Sequence, residues 1–337
     1  MKATIYLHIG PHKTGTTTIQ KGLLLNEDTL RNKGVLVPRA GRSMTETAGH
    51  HNLAWELLGN SRFNPAYGTW EGLVREIDKN SGIQKVILSA EGFCLLGDQE
   101  IGRIKEALKE FPVQIVMYLR DQDEALQSSW VSQVRNAFVM PPVGSFREWL
   151  KGNNYKSKNT DYFAMIKRWE NIFSKEALIL SGFSQRFTGD NLFEHFLLQC
   201  GVSWNQMTVP ENLNLSPGAK TIEAMRLLKN SIRFSEMDSQ SWGLIAKSIM
   251  SYGDQMGWNQ CKLNYLDRKL SRKIMKHHQQ SNAEIEREYF QNQVVFESKR
   301  REQARVDKFT YDQFSKQETV DLLSFILYQF EQAYRNQ

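Results

Sequence analysis

Three cysteines in 337 residues are too few, and too far apart, to staple a fold. Cys94, Cys200 and Cys261 are odd in number and lack metal-ligand spacing. A disulfide framework is therefore excluded, no metal site is expected, and all three read as reduced core residues. Long hydrophobic runs are lacking as well: no stretch approaches the roughly eighteen residues of a membrane span. The first residues enter a strand at once, which leaves no room for a signal peptide, so the expectation is a cytoplasmic protein with no transmembrane segment. No internal repeat and no low-complexity linker occurs. An excess of one charge is scarce too, since 43 basic and 37 acidic residues leave a net charge of +6. That mild surplus suits an anionic ligand and does not by itself argue for nucleic acid. The densest charged run, residues 297–308, reads either as a solvated helix face or as a polyanion site.

What is present is enough apolar material for a sizeable core: 40% hydrophobic residues and 11% aromatics. Short apolar, β-branched runs at 4–9, 35–37, 86–89, 114–119 and 178–181 read as strands. Between them lie segments with helical spacing at 18–26, 71–80, 101–110, 122–136, 146–150 and 162–173. Strands alternating with helices predict an α/β fold, three layers with a mostly parallel central sheet and right-handed crossovers. From about residue 190 the pattern turns helical, with segments at 192–200, 221–230 and 320–334. Ser281 with Glu284 reads as a capping box opening a helix that carries Ile285, Tyr289 and Phe290. The predicted organisation is an α/β core over 1–185 and a mainly helical portion over 186–337. Residues 39–70 read as a long polar loop with one amphipathic piece at 53–58, and loops of that length are usually functional.

The chain is organised around its first eighteen residues. The strand TIYLHI runs into Gly10-Pro11-His12-Lys13-Thr14-Gly15-Thr16-Thr17, and a helix follows. A loop that opens a helix presents free backbone N–H groups and the positive end of the helix dipole, a ready anion site. Lys13 adds a full charge and Thr14, Thr16 and Thr17 add hydroxyls, while Gly10 and Gly15 allow tight turns. The plainer alternative is a tight strand–helix turn with a solvated lysine. A second stretch, YLRDQDEALQSSW, puts Arg120 at the end of a strand and Ser128 eight residues on, about two turns into the next helix. An arginine fork pairs with a phosphate in two places at once, and a serine adds one donor. Alternatively, Arg120 pairs with Asp121 or Asp123 and Ser128 is a surface hydroxyl. Ligands in parallel sheets bind beyond the carboxyl ends of the strands. Lys13, Glu91 and Arg120 each follow a predicted strand, so all three should face one crevice.

A Walker A loop places its lysine directly after the second glycine. Here Lys13 precedes Gly15 by two residues, which argues against a nucleoside-triphosphate loop. HIGPHKTGTT instead resembles the 5′-phosphosulfate loop of bacterial and glycan-type sulfotransferases, whose donor is 3′-phosphoadenosine-5′-phosphosulfate (PAPS). The Arg120–Ser128 pair resembles that family's 3′-phosphate site. The resemblance covers roughly residues 1–185 and implies a P-loop-like sulfotransferase fold and release of 3′-phosphoadenosine-5′-phosphate (PAP). It assigns Lys13, Thr14, Gly15, Thr16, Thr17, Arg120 and Ser128 to the donor, and it implies a carbohydrate or glycolipid acceptor. The basic glycine-containing lid that many cytosolic members carry is missing; Arg186 or Arg135 is left to make that contact.

Sulfuryl transfer builds charge on the leaving oxygen, where Lys13 and the loop N–H groups can stabilise it. The acceptor also loses a proton, so a base is needed. Glu91, at a strand end, is the first candidate and His12 and His51 the next; each also reads as an ordinary capping or loop residue, as does His50. Two other classes stay open. A P-loop nucleotide kinase is disfavoured by the displaced lysine and by the lack of a clear strand ending in a magnesium-binding aspartate. A non-catalytic nucleotide-binding module would bind without turnover.

Overall fold

A computed structural model of the chain describes residues 2–43, 48–141, 143–152, 155, 158–183, 192–209, 217–231, 234–260, 265–296 and 314–335. Five strands form one sheet: β1 Thr4–His8, β2 Val35–Leu36, β3 Lys85–Ser89, β4 Val113–Leu119 and β5 Leu178–Gly182. Their order is β2-β3-β1-β4-β5, and every neighbouring pair is parallel. The fold class is α/β with a parallel central sheet, as the alternating sequence predicts. The described helices are α1 Thr16–Leu25, α2 Glu27–Asn32, α3 His51–Leu58, α4 Trp70–Lys79, α5 Asp98–Ala107, α6 Gln122–Arg135, α7 Phe146–Lys151, α8 Tyr162–Phe173, α9 Leu192–Gln199, α10 Ala219–Ser231, α11 Ser239–Gln255, α12 Arg268–Tyr289 and α13 Lys316–Arg335.

The chain divides into two compact units that alternate along the sequence. The first takes Met1–Asp121, Ser157–Asn214 and His277–Glu297, and so holds the whole sheet. Residue parity along the strands sorts its core. Tyr6, Ile87, Val116, Tyr118 and Ile179 lie on one face, packed with Ile19 and Leu23 of α1 and Phe193, Phe196 and Leu197 of α9. Ile5, Leu7, Val86, Leu88, Ile115 and Met117 alternate onto the opposite face and are buried too. There α8 lies against β4 and β5, α5 against α8, and α4 against α5. Burial on both faces is why these strands are near-continuous apolar runs. α1 comes close to α9 because Gly22 leaves room: a Cβ there would stand 2.6 Å from the Phe193 ring. Gly34, left-handed at φ 74, ends α2 one residue past its cap, as a C′ glycine does.

The second unit takes Gln122–Lys156, Leu215–Lys276 and Ser298–Gln337. Its core gathers Leu126, Trp130 and Val134 of α6, Ile222 and Met225 of α10, Trp242 and Ile249 of α11, and Leu322 and Ile326 of α13. Lys229 is fully buried within it. Its ammonium donates to the Gln133 and Asn136 carbonyls at 3.2 and 2.6 Å and lies 4.6 Å from the Phe234 ring centre. Trp242 Nε1 donates to the Arg135 carbonyl at 2.8 Å, so the end of α6 is capped by side chains from elsewhere in the unit.

Two expectations are corrected. Ser281 does not open a helix: it sits inside α12, and its hydroxyl donates back to the His278 carbonyl at 3.1 Å, satisfied within a helix already running. The polar stretch 39–70 is not one long loop, because α3 begins at His51, two residues earlier than the amphipathic piece suggests. Asn52 explains the order there. It is fully buried, donates to the Asn64 and Gly68 carbonyls at 2.9 and 2.8 Å, and accepts from the Asn64 N–H at 3.0 Å. Cys94 and Cys200 are buried free thiols; Cys261, Arg186 and the run 297–308 lie outside the described residues.

Candidate functional site

β1 is the middle strand, with β3 on one side and β4 on the other, so the chain reverses its direction of spread around it. Such a switch point opens a crevice at the carboxyl ends of the strands. Lys13 follows β1, Glu91 follows β3 and Arg120 follows β4.

The loop after β1 is built for close approach. Gly10 and Gly15 are left-handed, at φ 81 and 78, and so is Lys13, at φ 70. A lysine in that region costs about 1–2 kcal/mol and must be held. Arg120 Nη1 donates to the Lys13 carbonyl at 2.8 Å, and the guanidinium lies 5.3 Å from the Phe183 ring centre. Thr14 is buried and donates to the Pro11 carbonyl at 2.7 Å. Arg120 thus positions the loop from the neighbouring strand, a contact between residues 107 apart that the sequence does not display.

α1 starts at Thr16 with no side-chain cap and no acidic residue in its first turn. A helix start without a cap leaves N–H donors and dipole charge for something else to satisfy. Thr16 is 1% exposed and its hydroxyl has no hydrogen-bond partner among the described residues. A buried hydroxyl with nothing to bond costs about 1–3 kcal/mol, so an acceptor belongs there. Thr17 is exposed on the same turn.

Glu91 begins a short 3-10 turn directly after β3, and its carboxylate lies 3.4 Å from His12 Nδ1. Burial pushes its pKa up, but His12, Lys13 and His51 together outweigh burial and hold the carboxyl below the usual range. It is therefore ionised at neutral pH. His51, the first residue of α3, stacks on Trp55 of the next turn with ring centres 6.0 Å apart. Burial lowers its pKa; Glu91 opposes that, while His12 and Arg62 add to it.

Beneath these groups lies a buried polar network that sequence reasoning missed. Ser89, the last residue of β3, is its hub. Its hydroxyl meets His8 Nδ1 at 2.9 Å, and its N–H donates to His50 Nδ1 at 3.1 Å. Its carbonyl accepts from the His50 N–H at 2.8 Å, and Gln20 Nε2 reaches its hydroxyl at 3.3 Å. His50 Nε2 then donates to the Pro38 carbonyl at 3.0 Å. Burial drives His8 down to about 4 and His50 to about 3, so both rings are neutral. His50 is structural: both ring nitrogens are spent on backbone. The available signal was His8 itself, a polar residue inside an otherwise apolar strand.

The first unit thus brings together Lys13, Thr14, Gly15, Thr16, Thr17, His12, Glu91, His51 and Arg120. Ser128 belongs to the second unit, half-buried on α6, as does Arg135 at the end of that helix. Among the described residues, no group of three or more His, Cys, Asp or Glu side chains is arranged to hold a metal ion, and no helix is long and apolar enough to cross a membrane.

No protein-family model matches the chain. An uncharacterized protein of Archaeoglobus fulgidus is 24% identical over 216 residues, 62% of this chain and 55% of that one. The chain thus spans about half the length of that curated relative. Among solved structures, a sulfotransferase from Alicyclobacillus acidocaldarius is similar at 18% identity and a TM-score of 0.41, covering 72% of this chain and 99% of that one. A retinol dehydratase in complex with androsterone and the inactive cofactor PAP is similar at 13% identity and a TM-score of 0.35, covering 82% and 80%. Both superpositions are loose, and neither fixes a residue of the site.

Proposed function

We propose that the protein is a sulfotransferase that uses PAPS and passes the sulfuryl group to a hydroxyl or amine of a carbohydrate or glycolipid acceptor, releasing PAP. The reading is of a cytoplasmic, bacterial or glycan-type enzyme. Its donor-binding α/β core spans 1–185, and a helical portion completes it. One observation carries the reading: an uncapped helix start with a buried, unpartnered threonine hydroxyl, closed by a lysine held in a left-handed turn. Those groups fit a terminal phosphosulfate, which has oxygen acceptors on every side and no proton to give.

PAPS supplies a sulfuryl group joined to its 5′-phosphate through one bridging oxygen. Lys13 and the first N–H groups of α1 stabilise charge growing on that oxygen when the group leaves. Thr14, Gly15, Thr16 and Thr17 line the 5′ side, and Arg120 is the residue of this unit that reads the 3′-phosphate. The proton leaves the acceptor to Glu91, with His12 and His51 as the other candidates. Glu91 is ionised and so ready to accept, although a lowered pKa makes it the weaker base.

Calorimetry without magnesium tests the donor assignment. PAP is expected to bind well more tightly than ADP or 5′-AMP, and Arg120→Ala to remove most of that preference, roughly 2–5 kcal/mol for a desolvated charge pair. Equal affinity for PAP and 5′-AMP would refute it. Transfer to oligosaccharide acceptors is expected to survive EDTA. A strict magnesium requirement with ATP hydrolysis would move the protein to the kinases.

A further inference from the structure

Beside Trp55, on which His51 stacks, lies an arginine that neither the donor site nor the chemistry uses. α3 ends at Leu58, and Gly59, left-handed at φ 58, turns the chain back so that the Asn60 N–H donates to the Trp55 carbonyl at 3.0 Å. That reversal carries Arg62 over Trp55, with its guanidinium carbon 4.7 Å from the ring centre. Asn60 Oδ1 accepts from the Arg62 backbone N–H at 3.0 Å and from its Nε at 3.4 Å. Glu56, the carboxylate of the same helix, is occupied by the Trp70 N–H at 3.0 Å. Among the described residues no carboxylate pairs with Arg62, and the residue is exposed.

A guanidinium with its face on an aromatic ring and its Nε tethered keeps its two terminal nitrogens for a planar anion, and little side-chain freedom is left to lose on binding. The place is informative as well. His51 stacks on Trp55 and feels the charges of both Glu91 and Arg62. Glu91 touches His12. His51 therefore stands between the charge of Glu91, which reaches it through space, and Trp55, on which Arg62 lies.

We propose that Arg62, laid on Trp55, is an acceptor subsite that reads a fixed negative charge, and that the acceptor is an anionic oligosaccharide. This rests on the sulfotransferase reading for the identity of the reaction, while the subsite itself is a binding claim. The charge sits on the residue beside the hydroxyl that reacts, as a carboxylate or an earlier sulfate, and the Arg62 fork grips it while the hydroxyl faces Glu91.

The test uses the full chain with PAP present. A uronic-acid-containing tetrasaccharide and its carboxyl-reduced counterpart are titrated separately, read by tryptophan fluorescence and calorimetry. Wild-type protein is expected to favour the carboxylated form by about five- to tenfold, as for one charge-assisted fork. Arg62→Ala should erase that preference and Arg62→Lys keep part of it, with thermal melts confirming the fold of each. An absent preference in the wild type, or one surviving in Arg62→Ala, overturns the subsite. PAP binding with no response to either tetrasaccharide also overturns it and leaves the donor reading standing. An Arg62-dependent preference in a protein that ignores PAP supports the subsite and removes the donor reading.

Discussion

Replacing Gly15 by alanine separates a loop held by its backbone from one merely rich in small residues. Two costs act at that position. An alanine at φ 78 pays about 1–2 kcal/mol for the left-handed conformation. Its Cβ would also stand 2.2 Å from Leu192 Cδ2 and 3.3 Å from Phe183 Cε2, so Leu192, buried at the start of α9, must turn away. Overpacking of that kind costs about 1–3 kcal/mol. The gain from a stiffer unfolded chain returns only about 0.4–1 kcal/mol. The net loss is roughly 2–4 kcal/mol, which for a unit of about 200 residues is a fall in Tm of roughly 5–15 °C. Gly22→Ala is the control. Its φ is ordinary for a helix and helix propensity improves by about 1 kcal/mol, so whatever it loses reports only the crowding of its Cβ against the buried Phe193 ring at 2.6 Å, with no left-handed cost. Scanning calorimetry of both variants decides. A Gly15→Ala protein melting within 2 °C of wild type, by the roughly 2–4 °C per kcal/mol expected at this size, would refute the left-handed turn and the Leu192 contact together.

Thr16→Val keeps the shape and removes the unpartnered hydroxyl. Stability should hold or rise by up to about 1 kcal/mol, while calorimetry shows PAP affinity falling about tenfold; a loss of both would mean that the hydroxyl serves the fold. Glu91→Gln should lower kcat by ~10²–10⁴ with PAP affinity within a few fold. Because the Glu91 pKa is lowered, the acid limb of the kcat/KM profile should lie below the ordinary carboxylate range; a limb well above that range would hand the base role to a histidine instead. The neutral His8 and His50 resist protonation in the fold but not in the unfolded chain. Stability should therefore decline as pH falls below 6.5, by on the order of 3 kcal/mol for each ring near pH 4. Urea titrations at stepped pH, with His8→Asn flattening part of the slope, measure it.

The sheet was legible because its inner strands are buried on both faces and so are largely apolar, and all five runs stand out from their polar surroundings. The anion loop was legible because its chemistry is local: glycines, a lysine and threonines between a strand and a helix. Three other features were not. Arg120 grips Lys13 through tertiary contact alone, and no spacing in the chain announces that. The start of α3 carries no side-chain cap, so His51 looked like loop. Ser281 has the residues of a capping box but lies within a helix already nucleated upstream, where local capping chemistry is overridden by tertiary placement. The Ser89 hub was invisible because a buried serine announces nothing until its partners from β1, α1 and the turn before α3 are in place.

The alternation of the two units along the chain bears on how the protein is made. The sheet-bearing unit is not complete when β5 leaves the ribosome, because its last piece is His277–Glu297. In that piece Tyr289 bonds the Glu170 carboxylate, Phe296 stacks on Tyr162 with ring centres 6.2 Å apart, and a Cβ on Gly182 of β5 would stand 3.0 Å from Val295. A nascent chain stopped after β5 therefore has apolar surface on β5 and α8 still waiting for its cover, and such surface is where partly made proteins join one another. Synthesis at about 5–20 residues per second leaves that surface bare for several seconds or more. The cell must shield it for that interval, and a chain cut short of residue 297 would carry the hazard permanently.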